Sequence, residues 1–389
     1  MSPSRIKDAA LAAHITQEDL AWQRYITPIT EHYIRKTLQT GYTGKTVAIW
    51  MHVTFNALTF LLALHEAGAR VTVGACNPDS THDATAAYLA TRGLTVYAKS
   101  GMSDDEYHEN LQSMRAADAM YLCDTGGEVT QRYANDSRVV GGLEATTSGL
   151  MSLKDSALPF PVFEWNSIPL KNRLENRLGV GNGLWPAFSR VTSLSLFGKR
   201  VLVVGYGPVG KGIAERARNL GALVFVADTN PIRALEARHF GCETVSLEDG
   251  LAHCEIIVTA TGATHVLHSD NLPHVRPGAI VCNAGHSRDE FDIAWLYQQP
   301  HRRIKAHIER FDLATTHFYL LARGNLLNLA VEEHELDNDL FDHYSAIMLR
   351  GLTWMMDGLP HDIQPGLQQY PPELEREIAA LSVRLRQSS

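Results

Sequence analysis

The chain of 389 residues has no C-x-x-C pair, no paired metal-ligand spacing and no serine, histidine and aspartate set out as a hydrolytic triad. Its five cysteines (Cys76, Cys123, Cys242, Cys254 and Cys282) are scattered. That pattern gives no zinc site and favours reduced thiols over a disulfide framework, so no metal is expected. No apolar run reaches the roughly 18 residues of a membrane span. The first residues lack the apolar core of a secretory signal. Positive charge is scarce: 35 Lys and Arg against 43 Asp and Glu, a net charge of −8. That excludes nonspecific nucleic-acid binding, which needs a basic surface. Repeats and low-complexity blocks are also missing. What remains is a cytoplasmic globular chain of ordinary composition, 45% apolar and 20% charged, long enough for two cores. Its expected partner is a small molecule, with neither nucleic acid nor membrane.

The strongest positive signal is Val201-Leu-Val-Val-Gly-Tyr-Gly-Pro-Val-Gly-Lys-Gly212. Val201 to Val204 read as a buried parallel strand, Gly205-x-Gly207-x-x-Gly210 as a turn, and Ile213 to Leu220 as a helix. Strand, glycine turn and helix in that order form a dinucleotide site. Gly205 permits the tight turn, Gly207 lets backbone approach a pyrophosphate, and Gly210 lets helix pack on strand. N–H groups at the helix start, by Pro208 and Val209, then face phosphate. A second strand, Leu223 to Ala227, ends at Asp228, whose carboxylate can accept both ribose hydroxyls of NAD. Arg233 could meet a 2′-phosphate, but Asp228 would repel that group, so NAD is expected rather than NADP.

Before this motif the chain alternates helix and strand. Residues 5–40 read as helical. Strands are expected at Thr46–Met51, Val71–Ala75, Leu94–Tyr97 and Ala119–Cys123, with helices between them. This is an α/β pattern with an open parallel sheet. Ligands of such sheets lie beyond the strands' carboxyl ends. His52, the Asn77 to Asp83 loop and the Asp124 to Glu128 loop all fall there. Glu144 to Gly149 starts a helix with hydroxyls placed for N-capping. Gly179 to Gly183 reads as a hinge, and Pro186 as the first turn of a linker helix. After the glycine motif, strands at Glu243–Leu247, Ile256–Thr259 and Ala279–Cys282 lead to turns at Thr261-Gly262 and Asn283-Ala-Gly-His286. Asp337 to Asp357 and Pro371 to Arg386 read as helices. The expected architecture is two-domain α/β: a Rossmann NAD-binding domain, 183–332, inserted in a second α/β substrate-binding domain. That second domain takes 1–182 and 333–370, and 371–389 form a C-terminal helix.

The ordered set of short motifs resembles the adenosylhomocysteinase (S-adenosylhomocysteine hydrolase) family over nearly the whole chain. The resemblance rests on Met51-His-Val-Thr54, Cys76-Asn-x-x-Ser-Thr-x-Asp83, Asp124-x-Gly-Gly127 and Glu144-x-Thr-Thr-x-Gly149. It continues through Asn166-x-x-x-x-Lys171, the glycine turn, Asn283-x-Gly-His286 and Asn328-Leu329. It implies that NAD oxidises a ribose 3′-hydroxyl, that the ketone acidifies the C4′ proton, and that the 5′ thiol leaves. Water then adds and the ketone is reduced. By resemblance, Thr146, Thr147, Ser148, Asn176, Asp228, Asn283, His286 and Asn328 contact NAD, joined by Thr261, Ala284 and Gly285. His52, Lys171 and Glu175 surround the sugar, with Thr54 and Asn56 near the base and Thr125 and His334 among the substrate residues. The candidate catalytic groups are His52, Asp124, Lys171, Glu175 and His286. A homo-oligomer, dimer or tetramer, is also implied.

The departures from the family pattern cluster around the sugar. The second carboxylate of Asp-Asp-Gly-Gly is Thr125, and the second Glu of Glu-Glu-Thr-Thr-Thr is Ala145. The Asp before the second Asn is Glu175, and the base-reading Gln or Glu is Asn56. The hinge Cys is Val180, Arg233 stands for an Asn, and the Lys/Tyr tail has no counterpart. Losing a charge-assisted hydrogen bond to a buried hydroxyl costs roughly 1.5–3 kcal/mol. Losing a positioned acid or base costs about 10²–10⁴-fold in rate. The pattern therefore predicts sugar oxidation retained, with an altered nucleoside or an altered outcome such as epimerisation or elimination without return. An ordinary hydrolase and a catalytically silent NAD-binding regulator are the alternatives. Asp124 could equally cap its loop, and Lys171 could belong to a solvated basic face with Arg173 and Arg177.

Overall fold

The computed structural model describes residues 4–285, 288–331 and 338–387. The chain divides into two compact units, residues 1–171 with 338–389 and residues 172–337. The sequence reading puts the first boundary at 182/183. The structural division falls earlier because residues before 183 already belong to the second unit: Arg177 pairs with Glu215, and Gly181 packs against the Gly212 backbone.

The first unit is built on β1 (Thr46–Met51), β2 (Arg70–Ala75), β3 (Thr95–Tyr97), β4 (Tyr121–Asp124), β5 (Gly141–Glu144) and β6 (Pro161–Glu164). A last strand, Gly366–Gln369, pairs with β6. The order across the sheet is Gly366–Gln369, β6, β5, β4, β1, β2, β3. Every neighbour is parallel. Strand order therefore reverses between β1 and β4, and in doubly wound sheets ligands bind at that reversal. His52 directly follows β1 and Asp124 ends β4.

The expected single helical stretch at 5–40 is three pieces: a 3₁₀ turn Ala9–His14 and helices Gln17–Ile26 and Pro28–Thr40. Thr16 starts the second with a capping box. Thr27 offers no side-chain cap to the third. Asp342, from helix Asn338–Asp357, supplies one instead: its carboxylate accepts Ile29 N at 2.9 Å and Thr30 N at 2.7 Å. Burial pushes the Asp342 carboxyl up to about 6.

In the second unit the strands are β7 (Arg200–Val204), β8 (Leu223–Ala227), β9 (Glu243–Thr244), β10 (Ile256–Thr259), β11 (Ala279–Asn283), β12 (His301–Lys305), β13 (Ile308–Asp312) and β14 (His317–Leu321). Their order is β12-β13-β14-β11-β10-β7-β8-β9. Period-two alternation covers both faces: Val201 and Val203 enter one apolar cluster, Leu202 and Val204 the other. The antiparallel extension β12 to β14 is not foreseen in the sequence.

Two local expectations need correction. Gly179 to Gly183 is helical rather than a hinge, and Pro186 lies inside helix Val180–Thr192 rather than in its first turn. Packing explains the glycines. A Cβ at Gly181 would come within 2.6 Å of Gly212 O, and one at Gly212 would collide with the Arg177 carbonyl. Backbones of the two helices touch, and Trp185 Nε1 donates to Ile213 O at 3.1 Å across the same contact. The expected strand at 243–247 shrinks to Glu243–Thr244 because Ser246 caps a helix, Leu247–His253.

Candidate active-site elements

In the first unit the candidates sit at the carboxyl ends of β1, β4, β5 and β6. His52 leads into Val53 and Thr54, and His82 N donates to Val53 O at 2.9 Å, stitching this loop to the next. His52 Nδ1 lies 2.6 Å from Ser80 Oγ. Thr54 Oγ1 is buried with no hydrogen-bond partner among the described residues. Such a hydroxyl invites a ligand, since an unmet buried polar group is costly. Asn56 donates through Nδ2 to Asn338 Oδ1.

The end of β4 carries Asp124, whose oxygens accept Thr125 N at 2.8 Å and Thr130 N at 2.7 Å. Its side chain is fully buried. These two bonds cap the loop, and burial pushes the Asp124 carboxyl up to about 6. Asp124 is paired in register with Glu144 on the adjacent strand. Glu144 opens one of the family motifs in the sequence but carries no assigned role there. Its Oε1 accepts Gly126 N at 3.2 Å, Thr146 N at 2.8 Å and Thr146 Oγ1 at 2.7 Å. Its Oε2 is buried without a partner among the described residues. Burial, then the Asp124 charge, pushes the Glu144 carboxyl well up. Thr146 caps helix Thr147–Leu153, as its hydroxyl predicts, and accepts Gly149 N at 3.0 Å. Thr147 Oγ1 receives Asn166 Nδ2 at 2.9 Å, and Ser148 Oγ donates to Thr146 Oγ1 at 3.2 Å. One buried carboxyl thus anchors both the Gly126 and the Thr146 loops.

Lys171 is no solvated face: it is 7% exposed. Its ammonium lies 5.0 Å from the Tyr344 ring centre and 5.9 Å from that of Trp165. Cation–π attraction of this kind holds a cation among aromatics.

In the second unit, Gly205 has φ +94°, and a Cβ on Gly210 would collide with Gly205 O. Both requirements match the roles read from the motif. Among the described residues a Cβ at Gly207 would meet only the Arg233 guanidinium, 3.9 Å away. Helix Pro208–Asn219, opened by Pro208 and Val209, has no side-chain cap at its N-terminus. Open space over a glycine, uncapped N–H groups and a guanidinium fit a pyrophosphate. Asp228 Oδ2 accepts Tyr206 N at 2.6 Å and Oδ1 accepts Asn230 N at 2.7 Å. Each oxygen keeps a lone pair for a hydroxyl. Asn328 Oδ1 is buried and unpartnered among the described residues. These observations fit NAD.

Other candidates in this unit build loops. The Asn283 amide accepts Gly285 N at 2.7 Å and Thr259 Oγ1 at 3.1 Å, and donates to Gly324 O at 3.0 Å, fixing the turn through Ala284. Thr261 N, Thr261 Oγ1 and Gly262 N all donate to Glu290, a buried carboxylate with no signal in the sequence. Glu175 and Asn176 lie on the π-type run Leu170–Gly179 and belong to the second unit. Arg177 there pairs with Glu215, its Nε 3.1 Å from Oε2. His286 and His334 lie outside the described residues. Among the described residues no group of three His, Cys, Asp or Glu could hold a metal, and no helix is long and apolar enough to cross a membrane.

Two doubly wound sheets, one with a glycine turn, an uncapped helix start and an acidic strand end, define an NAD-dependent α/β enzyme. The S-adenosyl-L-homocysteine hydrolase model matches residues 25–155, and the NAD-binding domain model of the same hydrolase matches 176–334. An S-inosyl-L-homocysteine hydrolase of Methanocaldococcus jannaschii is 35% identical over 382 residues, covering 95% of this chain and 91% of that protein. An adenosylhomocysteinase of Archaeoglobus fulgidus is 33% identical, covering 87% and 86%. One from Sulfolobus acidocaldarius is 32% identical, covering 98% and 94%. The chain belongs to the S-adenosyl-L-homocysteine hydrolase family.

Proposed function

We propose that the protein oxidises the ribose 3′-hydroxyl of a nucleoside or nucleoside thioether, and departs from plain thioether hydrolysis in its substrate or in the fate of the keto sugar. NAD, when bound, supplies a reversible hydride acceptor. The Asp228 carboxylate and the uncapped helix start at Gly207 hold its ribose and pyrophosphate. Lys171, set against the Tyr344 and Trp165 rings, takes the proton of the sugar hydroxyl, and His52 takes the proton made acidic by oxidation. Thr54 offers its unmet hydroxyl to the base.

One observation carries the departure. Thr125 and Ala145 stand at the two lost carboxylate positions and are 4% and 3% exposed. Of the neighbouring carboxyls, Asp124 is bound to two loop N–H groups, and Glu144 takes three donors on Oε1 while its Oε2 keeps no partner among the described residues. The two positions themselves then supply no carboxylic acid to protonate a leaving group. Elimination and hydrolysis, which both expel the 5′ thiol, then slow, while epimerisation at C4′ still uses the same proton.

The test is incubation of the purified chain and NAD with S-adenosylhomocysteine, S-inosylhomocysteine, adenosine and inosine, with products read by mass spectrometry. The expected result is growth of the NADH band or a modified sugar with at least one substrate. Cleavage of S-adenosylhomocysteine to adenosine and homocysteine at an ordinary enzymatic rate, about 10 s⁻¹, would overturn the departure.

A further inference from the structure

The loop after β2 is built to present one hydroxyl. Asn77 Oδ1 accepts Asp79 N at 2.9 Å and opens the 3₁₀ turn Pro78–Ser80. The Asn77 carbonyl accepts Ser80 N at 3.3 Å, Ser80 Oγ at 3.0 Å and Thr81 Oγ1 at 3.2 Å. Cys76 N donates to Met51 O at 3.0 Å, and His82 N to Val53 O at 2.9 Å, so this loop is tied on both sides of His52. Ser80 is 2% exposed, and its Oγ lies 2.6 Å from His52 Nδ1.

A serine hydroxyl has one proton and two lone pairs. A carbonyl only accepts, so in the Ser80–Asn77 bond that proton points at Asn77 O. The oxygen then turns a lone pair to His52, and Nδ1 must carry the ring proton. In a neutral imidazole the other nitrogen is then the base. We propose that Ser80 is a positioning residue that fixes His52 as the Nδ1–H tautomer, so that His52 enters the reaction as a proton acceptor at Nε2. The relevance to turnover rests on the functional reading above; the tautomer itself does not. The tautomer also gives the Cys76-Asn-x-x-Ser-Thr stretch a chemical purpose in this chain: it is a scaffold for the Ser80 lone pair.

The experiment is long-range nitrogen–proton NMR on the full chain with labelled histidine, at pH about 8.5, two units above the ordinary imidazole value of about 6.5. The His52 signals are those missing from a His52→Gln sample. The expected pattern is a protonated, pyrrole-like Nδ1 and a pyridine-like Nε2, the tautomer that free histidine disfavours. Ser80→Ala should move the pattern toward Nε2–H. Nucleoside-driven NADH formation should then lose about threefold to tenfold in kcat with KM little changed, the population factor of one net hydrogen bond. Wild-type His52 found as Nε2–H, with Ser80 donating to Nδ1, would overturn the assignment whether or not the variant folds. An Nδ1–H signature with no turnover of any nucleoside would leave the assignment standing and sink the functional reading instead.

Discussion

Replacing Asp228 by Asn tests the cofactor half of the account most sharply. The carboxylate binds two backbone N–H groups, Tyr206 at 2.6 Å and Asn230 at 2.7 Å, which leaves one lone pair on each oxygen. An amide keeps one acceptor oxygen and sets an NH₂ against one of those N–H groups. The variant therefore loses one loop bond, one bond to a ribose hydroxyl and the charge that strengthened both. A hydrogen bond to a charged acceptor contributes roughly 1.5–3 kcal/mol. One such loss predicts an NAD Kd raised about tenfold to a hundredfold. The same carboxylate opposes a 2′-phosphate, so the preference for NAD over NADP should narrow, helped by Arg233 beside Gly207. Calorimetric titration of parent and Asp228→Asn with both dinucleotides reads these effects. Melting of the cofactor-free proteins separates them from loop damage. An NAD affinity within twofold of the parent, with the preference unchanged, would refute the assignment of Asp228 to the cofactor ribose.

Glu144→Gln keeps the shape of the neutral acid and its acceptor oxygen. Because the folded state raises the Glu144 pKa, the native form holds a proton that the unfolded form has lost, and stability falls as pH rises above the ordinary carboxyl range. The variant should flatten that fall and melt higher than the parent at pH 8, with little difference near pH 4; identical melting curves at pH 8 would count against a neutral Glu144. Gly212→Ala should destabilise the second unit by about 1–3 kcal/mol or more, since its Cβ would overlap backbone at Arg177, measured by thermal melting. Lys171→Met should fill the same space beside Tyr344 and Trp165 yet lower the rate of sugar oxidation about 10²-fold or more, read as slower NADH formation. Restoring both lost carboxylates, Thr125→Asp with Ala145→Glu, should increase S-adenosylhomocysteine cleavage while lowering stability, because both positions are buried beside Asp124 and Glu144.

The sequence displays what local chemistry dictates. Val201 to Asp228 is legible because an apolar run, three glycines and an acidic strand end each have a local cause. β1 and β4 are legible for the same reason, and with them the strand ends where His52 and Asp124 fall. β5 is missed: Gly141 and Gly142 have little strand propensity, and tertiary packing between β4 and β6 makes them a strand. Pro186 reads as a helix start because a proline inside a helix is costly, a rule that helix-to-helix packing overrides here. The groups that organise the loops escape notice because their partners are distant in sequence. Glu144 meets Gly126 18 residues away, Glu290 meets Thr261 29 away, and Ser80 meets His52 28 away. No periodicity or spacing rule joins such pairs.

The most direct test of the central claim is to mix the purified, NAD-loaded protein with nucleosides and nucleoside thioethers and follow the NADH absorbance while tracing deuterium exchange at C4′ of the sugar. The account predicts NADH formation and C4′ exchange with at least one of them, both depending on Lys171. Silence in both signals across the panel, with NAD shown to be bound, would contradict it.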